Sequence, residues 1–384
     1  MINYGRQDVR QDDIDAVVAV LRSDFLTQGP AVPRFEEQMA RKVGVEHSVA
    51  VNSATSALHI ACLALDLGPG DILWTVPNTF VASANAARYC GADVDFVDID
   101  PDTWNMSVAA LQAKLEGTDR LPKVVTPVHF AGQPTDQEAI WDLAQEYGFR
   151  VLEDASHAVG ANRNGEPVGS TKWSDIAIFS FHPVKIITTG EGGMALTADE
   201  ALAERMRILR DHGIIRDESQ FVNESPGPWY REQQVLGFNY RITDIQAALG
   251  TSQLGRLEEY VARRNALADR YHQALAGLPL RLPFVRAENV SAYHLYMVRL
   301  RLVEISKTHR QVFEELRQHG IGANLHYIPV HLQPYYRDLG FTEGQFPEAE
   351  AYGSDAITIP LYPTLTEDQQ DQVVGALEKI LGGD

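Results

Sequence analysis

Apolar and polar positions change their period several times along the chain, and each change marks an element boundary. Residues 12–22 and 32–43 place apolar side chains at three- and four-residue spacing, which predicts two amphipathic helices. Short, nearly continuous apolar runs follow at 47–51, 72–76, 94–99, 124–130, 150–155, 176–181 and 193–197. Most are rich in β-branched residues and too short for helices, so they predict strands. Helical patterns lie between several of them, at 55–67, 80–90, 107–115 and 137–147. Such alternation, with strands apolar on both faces, predicts an α/β fold around a largely parallel sheet covered by helices on each side.

Beyond Thr197 the strand pattern stops. Residues 199–212 and 243–275 are predicted as helices, the second as one long rod. Between them, the polar stretch 223–234 (NESPGPWYREQQ) carries two prolines and a glycine and is predicted as a surface loop. From about Pro283 a second α+β unit follows, with a strand at 294–302, a helix at 308–318 and a last helix at 366–381. Thr366 and Gln369 have capping-box spacing at its start. The expectation is a large unit of residues 1–255 and a smaller one of 256–384, divided in or just after the long helix.

Composition narrows the function classes. A chain of 384 residues suits two units, and 45% apolar content can fill a core, which sets disorder aside. Thirty-three basic against 52 acidic residues leave a net charge of −19, which repels phosphate backbones, so no nucleic-acid partner is expected. The two cysteines, Cys62 and Cys90, form no CxxC pair; neither a zinc site nor any other metal is expected. The opening MINYGRQDVRQDD has no apolar leader, and runs such as 16–21 are too short for a bilayer. A cytoplasmic protein without a membrane partner is the expectation.

Ligands of open α/β sheets gather at the carboxyl ends of the strands. The predicted strand at 150–155 carries Glu153 and Asp154 and leads on to Ser156 and His157. The one at 176–181 carries Ser180 and leads through His182 and Pro183 to Lys185, with TTGEGG at 188–193 beyond. The first strand leads to Asn52, Ser53, Ala54 and Thr55 at the start of a helix. Each piece alone has a plain explanation. Asp154 could be a turn residue or a helix N-cap, residues 52–56 could cap a helix, and Lys185 could be a solvated surface lysine. Its apolar neighbours argue against the last. The GEGG run matches neither nucleotide-binding glycine pattern.

Together the pieces fit pyridoxal 5'-phosphate, which needs a lysine amine, a carboxylate at its ring nitrogen and a phosphate cup. Lys185 supplies the amine and Asp154 the carboxylate. Ser53, Ala54 and Thr55 offer N–H groups and hydroxyls at a helix N-terminus. Ser180 adds a hydroxyl. Phe80 could cover a ring face or pack in the core.

The segments LTQGPAVPRFEEQMA (26–40), NSATSALHIA (52–61), EDASHAVG (153–160), FSFHPVKIITTGEGG (179–193), RDHGI (210–214), GFNYRITDIQAALGTSQL (237–254), YHLY (293–296) and NLHYIPVH (324–331) occur in this order. Through them the chain resembles the DegT/DnrJ/EryC1/StrS family of sugar aminotransferases over nearly its whole length. The resemblance implies a fold type I transferase, similar to aspartate aminotransferase. Its large domain would hold a mixed, mostly parallel seven-stranded sheet, and a smaller α+β domain would follow. It implies pyridoxal phosphate on Lys185, pyridoxamine 5'-phosphate as the aminated form, and His157 at the cofactor ring or its 3-oxygen. Asn239 would reach the phosphate held by the neighbouring subunit, which makes a homodimer with shared sites. Tyr4, Asp24, Phe25, Leu26, Thr27, Asn324, Leu325, His326 and Tyr327 would line the sugar-nucleotide side. His182 stays outside the catalytic set. Arg216, Arg231 and Arg241 are candidates for the diphosphate.

Within the family the likeness is to members of the pseudaminic acid pathway. It implies transfer from L-glutamate, released as 2-oxoglutarate, to C4 of a UDP-linked 4-keto-6-deoxy-N-acetyl-hexosamine. Members acting on UDP-4-keto-L-arabinose are similar around Ser180–His182 and Asp154–His157. Sugar dehydratases of this fold resemble the chain but carry histidine where Lys185 stands. A catalytically idle sensor would have no need of Lys185, Asp154 and Ser180 together.

Overall fold

The computed structural model describes residues 1–382. The seven apolar runs meet in one seven-stranded sheet. Its order is His47–Val51, Gly193–Thr197, Ile176–Ser180, Arg150–Asp154, Val124–Val125, Ile72–Thr75 and Asp93–Phe96. Gly193–Thr197 runs antiparallel to both neighbours, and the other pairings are parallel. This is the mixed, mostly parallel sheet expected.

Burial on both faces explains the continuous apolar runs. Every residue of Ile176–Ser180 and Gly193–Thr197 is buried. Side chains alternate between two cores, as strand geometry requires. Ile176, Ile178 and Ala195 join the core under helices Ala54–Ala64 and Val81–Tyr89. Phe179, Met194 and Leu196 join the opposite core, which takes Phe35 and Met39 from helix Ala31–Val43 and Ala247 from helix Asp244–Leu254. Helix Ala54–Ala64 is buried almost all round, and its small side chains let it lie close to the sheet.

A three-stranded antiparallel sheet of Leu280–Arg281, Tyr296–Leu300 and Ala356–Ile359 organises the C-terminal part. It shares a third apolar core with helices His309–Gln318 and Glu367–Leu381. Thr366 and Gln369 make the reciprocal capping box. Ile2–Asn3 pairs with Ile321–Gly322, and Ile2 packs into this same core. The chain's first residues are therefore fixed here, with the Tyr4 carbonyl accepting from the Leu361 N–H at 3.0 Å.

The structure corrects two predicted elements. The rod at 243–275 is two helices, Asp244–Leu254 and Leu257–Leu275, broken at Gly255 and Arg256. Arg256 leaves helical geometry, and its guanidinium bonds Asp13 at 2.5 Å and also Asp12. The run at 124–130 is ladder only at Val124–Val125 and turns into a short 3-10 segment at Phe130–Gly132. Pro127 has no N–H to donate, but its carbonyl accepts from Asp154 N at 2.9 Å, so this strand still leads to the site. The 223–234 stretch is largely exposed, and only Glu232–Gln233 pairs, with Ile214–Ile215. Among the described residues, no helix is long and apolar enough to cross a membrane.

Candidate active site

A cavity of about 600 Å³ opens where the strands Arg150–Asp154 and Ile176–Ser180 end and the helix Ala54–Ala64 begins. It brings together Ser53, Ala54, Thr55, Phe80, Asp154, His157, Ser180 and Lys185 on the sheet side. Asn324, Leu325, His326 and Tyr327 close it from the C-terminal part, together with Tyr4, which the pairing of Ile2–Asn3 with Ile321–Gly322 brings beside them.

Lys185 stands on a loop closed at its base. Phe181 N donates to the Gly192 carbonyl at 2.9 Å, and Thr189 N donates to the Phe181 carbonyl at 3.0 Å. The Thr188 hydroxyl also donates to that carbonyl, at 2.9 Å. The apolar neighbours Ile186 and Ile187 are buried beneath, which turns the lysine toward the cavity. Enclosure disfavours the charged amine and lowers it to about 8, against the pull of the Asp154 carboxylate. In the cofactor-free protein, capture of pyridoxal phosphate needs the neutral amine. Its rate should rise with pH and level off above about 8, whereas an ordinary lysine would still be gaining near pH 10. Growth of visible absorbance after adding the cofactor, followed across this range, measures the midpoint.

Asp154 is the last residue of its strand and is buried. Its Oδ2 accepts from the Ser83 hydroxyl at 2.6 Å and its Oδ1 from Ser156 N at 3.1 Å. Both donors hold it as an acceptor facing Lys185's side of the cavity.

The opposite corner is a helix N-terminus. Ser53 caps Ala54–Ala64 by accepting from Ser56 N at 3.1 Å, and Ser56 in turn donates to Asn52 at 2.6 Å. The plain capping role is thus real. It leaves the first-turn N–H groups of Ala54 and Thr55 to face an anion, which the helix dipole favours. Gly193 is what lets this turn sit so close to the sheet. A Cβ there would lie 2.5 Å from Ala54 N and from the Ser53 carbonyl carbon.

His157 has its tautomer fixed by its neighbours. Nδ1 accepts from Ala131 N at 3.2 Å, so in the neutral ring Nε2 carries the proton and donates to the Tyr327 hydroxyl at 3.3 Å. Burial and the nearby Lys185 push His157 well below the ordinary histidine range, which keeps it neutral. Burial and Lys185 likewise push His326 down to about 3. Burial and the charge of Asp154 push the Tyr327 phenol up. The cavity therefore holds one titrating amine amid neutral rings.

Phe80 is 57% exposed and lines the cavity, which removes the core reading and leaves its ring free to cover a ligand. Asn239 and residues 24–27 do not line this cavity. All are exposed, and Thr27 bridges Thr243 while Asn239 bridges Asp211. Arg216 and Arg241 also stand apart and share Asp211, and the exposed Arg231 meets the Pro228 and Tyr230 carbonyls.

Sequence reasoning named as site residues neither Ser156, His182 and Glu191, which line the cavity, nor the following three. Thr79 and His294 line the cavity, and Ser83 lies behind Asp154. His294 is buried, packs 4.5 Å from the His157 ring, and leaves Nδ1 without a partner. Its signal was a histidine at the head of an apolar strand.

The residues present fit pyridoxal phosphate. An amine of lowered basicity, a buried carboxylate and a helix N-terminus that tolerates only glycine opposite it surround one cavity. The comparisons with known proteins agree. A model described as the DegT/DnrJ/EryC1/StrS aminotransferase family matches residues 7–378. The spore coat polysaccharide biosynthesis protein SpsC of Bacillus subtilis is 39% identical over 99% of this chain and 97% of its own. Among solved structures, Helicobacter pylori PseC, an aminotransferase involved in the biosynthesis of pseudoaminic acid, superimposes with a TM-score of 0.91 at 28% identity, covering 99% of both chains. Spr1654 of Streptococcus pneumoniae in its PLP-form gives 0.88 at 29% identity, again covering 99% of both.

Proposed function

The chain belongs to the DegT/DnrJ/EryC1/StrS aminotransferase family and is a pyridoxal phosphate-dependent sugar aminotransferase; from that premise we propose that it transfers an amino group from L-glutamate to C4 of a UDP-linked 4-keto-6-deoxy-N-acetyl-hexosamine. The observation that carries this reading is that Lys185 and Asp154 share one cavity, which Asn324, His326 and Tyr327 also line. PseC, whose own description places it in pseudoaminic acid biosynthesis, supports the choice of sugar.

Pyridoxal phosphate, when bound, would supply an electron sink for the substrate carbon and would carry the amino group between the two substrates. Residues of the large unit would hold it, and Asn324–Tyr327 of the smaller unit, with Tyr4, would close over it. The Lys185 amine would hold it covalently, and the same amine, when free, would carry the proton to and from the substrate carbon. An amine lowered to about 8 serves as both base and acid near neutrality. Asp154 holds a negative charge against the ring nitrogen. Ala54 and Thr55 N–H groups, with the Ser53 and Ser180 hydroxyls, bind the phosphate. Phe80 covers one ring face, and His157, kept neutral, orients the 3-oxygen side.

Tyr4, Asn324, Leu325, His326 and Tyr327 line the sugar side. Since His157 already donates to Tyr327, the tyrosine's own proton is free to meet a sugar oxygen. Asn239 and Asp24–Thr27 act on the site of the partner subunit in a homodimer, where Asn239 reaches the phosphate. The protein works in the cytoplasm.

Incubation with glutamate and a panel of UDP-4-keto sugars, followed by NMR of the products, tests the assignment. A C4 amine on the 6-deoxy-N-acetyl sugar is expected. Exclusive turnover of UDP-4-keto-L-arabinose or of a GDP-linked sugar would overturn it.

A further inference from the structure

Ser83 is fully buried in the helix Val81–Tyr89, on the turn that faces the sheet. A helical serine ordinarily bonds back to a carbonyl of the preceding turn. Here that contact, to Phe80 O, is long at 3.4 Å, while Asp154 Oδ2 lies at 2.6 Å. The shorter distance is that of a hydroxyl donating to an ionised carboxylate.

The direction of the bond follows. An ionised carboxylate only accepts, so the single Ser83 proton is committed to Asp154. Thr79 Oγ1 lies 2.9 Å from Ser83 Oγ and must be the donor in that contact. A directed chain thus runs from Thr79, at the cavity wall, through Ser83 to Asp154. The other oxygen, Oδ1, is held separately by Ser156 N at 3.1 Å. Two donors from different elements, one on each oxygen, fix the plane of the carboxylate.

We propose that Ser83 is a positioning residue, oriented by Thr79, that holds the Asp154 carboxylate turned toward the place of the cofactor's ring nitrogen. The inference rests on the reading of Asp154 given above. Removing Ser83's hydroxyl leaves Oδ2 without its donor, so the carboxylate is held only through Oδ1 and can turn about that contact. The ring nitrogen then loses part of its counter-charge, while the phosphate cup and the sugar side are untouched.

The test compares Ser83→Ala, Ser83→Thr and Asp154→Asn in the cofactor-loaded enzyme. Ser83→Ala is expected to lower kcat roughly ten-fold, the size of a lost hydrogen bond to a charged group, with KM for the amino donor within about two-fold. The pH at which the resting visible absorbance titrates should also shift, a change that mere loosening of the helix would not produce. Ser83→Thr, which keeps the hydroxyl, should restore both readings. If Ser83→Ala folds poorly, Ser83→Cys keeps the volume with only a weak donor and carries the same comparison.

Unchanged kcat and an unchanged spectral titration in Ser83→Ala, beside an impaired Asp154→Asn, would overturn the inference and leave the Asp154 reading standing. Unchanged behaviour in Asp154→Asn would remove that reading and this one with it.

Discussion

Lys185→Ala is expected to lower turnover by at least about ten-thousand-fold, because it removes both the covalent anchor and the proton carrier. The fold should survive. The loop that carries Lys185 is pinned by Phe181, Thr188, Thr189 and Gly192, and none of these bonds uses the lysine amine. Enclosure already disfavours the charged amine, as its lowered basicity shows, so losing it relieves a desolvation cost. The melting temperature of the cofactor-free protein should therefore stay within about 2 °C of the parent or rise. Steady-state turnover with glutamate and a thermal melt, run on the same preparation, separate chemistry from folding. Substantial turnover in this variant would mean that another group carries the reaction.

Asp154→Asn is the second large effect, with turnover expected to fall about a thousand-fold. The substitution is nearly isosteric, and an amide oxygen can still accept from Ser83. What it lacks is the negative charge, in a buried position where a charge acts with little screening. Cofactor binding should persist, because the phosphate corner at Ser53–Thr55 and the lysine are separate from the carboxylate. Retained cofactor measured by absorbance, with kcat measured beside it, checks both halves. A variant that keeps the cofactor and works at near-parent rate would remove Asp154 from the mechanism.

The parts of this site that were legible in the sequence share a physical cause. Strands buried on both faces leave continuous apolar runs, and the polar residues that end them stand out against that background. Asp154, Ser180 and the Asn52–Thr55 turn were visible for that reason, and Lys185 was visible because isoleucines and valine surround it. Ser83 was not. In VASANAARY a serine looks like any small residue that lets a helix approach a sheet. Only its partner, 71 residues further along the chain, gives it meaning. The helix break at Gly255 and Arg256 was hidden in the same way, since the pull on Arg256 comes from Asp13 at the far end of the sequence.

Other residues were named from the family likeness alone. Asn239 and Asp24–Thr27 lie on the exposed surface of the single chain, outside the cavity. No period or spacing can reveal a residue whose proposed partner sits on another copy of the chain. Tyr4 shows the opposite case. Residues so near a terminus ordinarily fray, yet the pairing of Ile2–Asn3 with Ile321–Gly322 holds Tyr4 at the cavity wall.

The most direct test of the chemistry is to reduce the resting, cofactor-loaded protein with borohydride, digest it and locate the labelled peptide. The account predicts a single modified lysine, Lys185, in the peptide that contains FHPVKIITTG. A label on any other lysine, or none on a protein that still turns over, would contradict it.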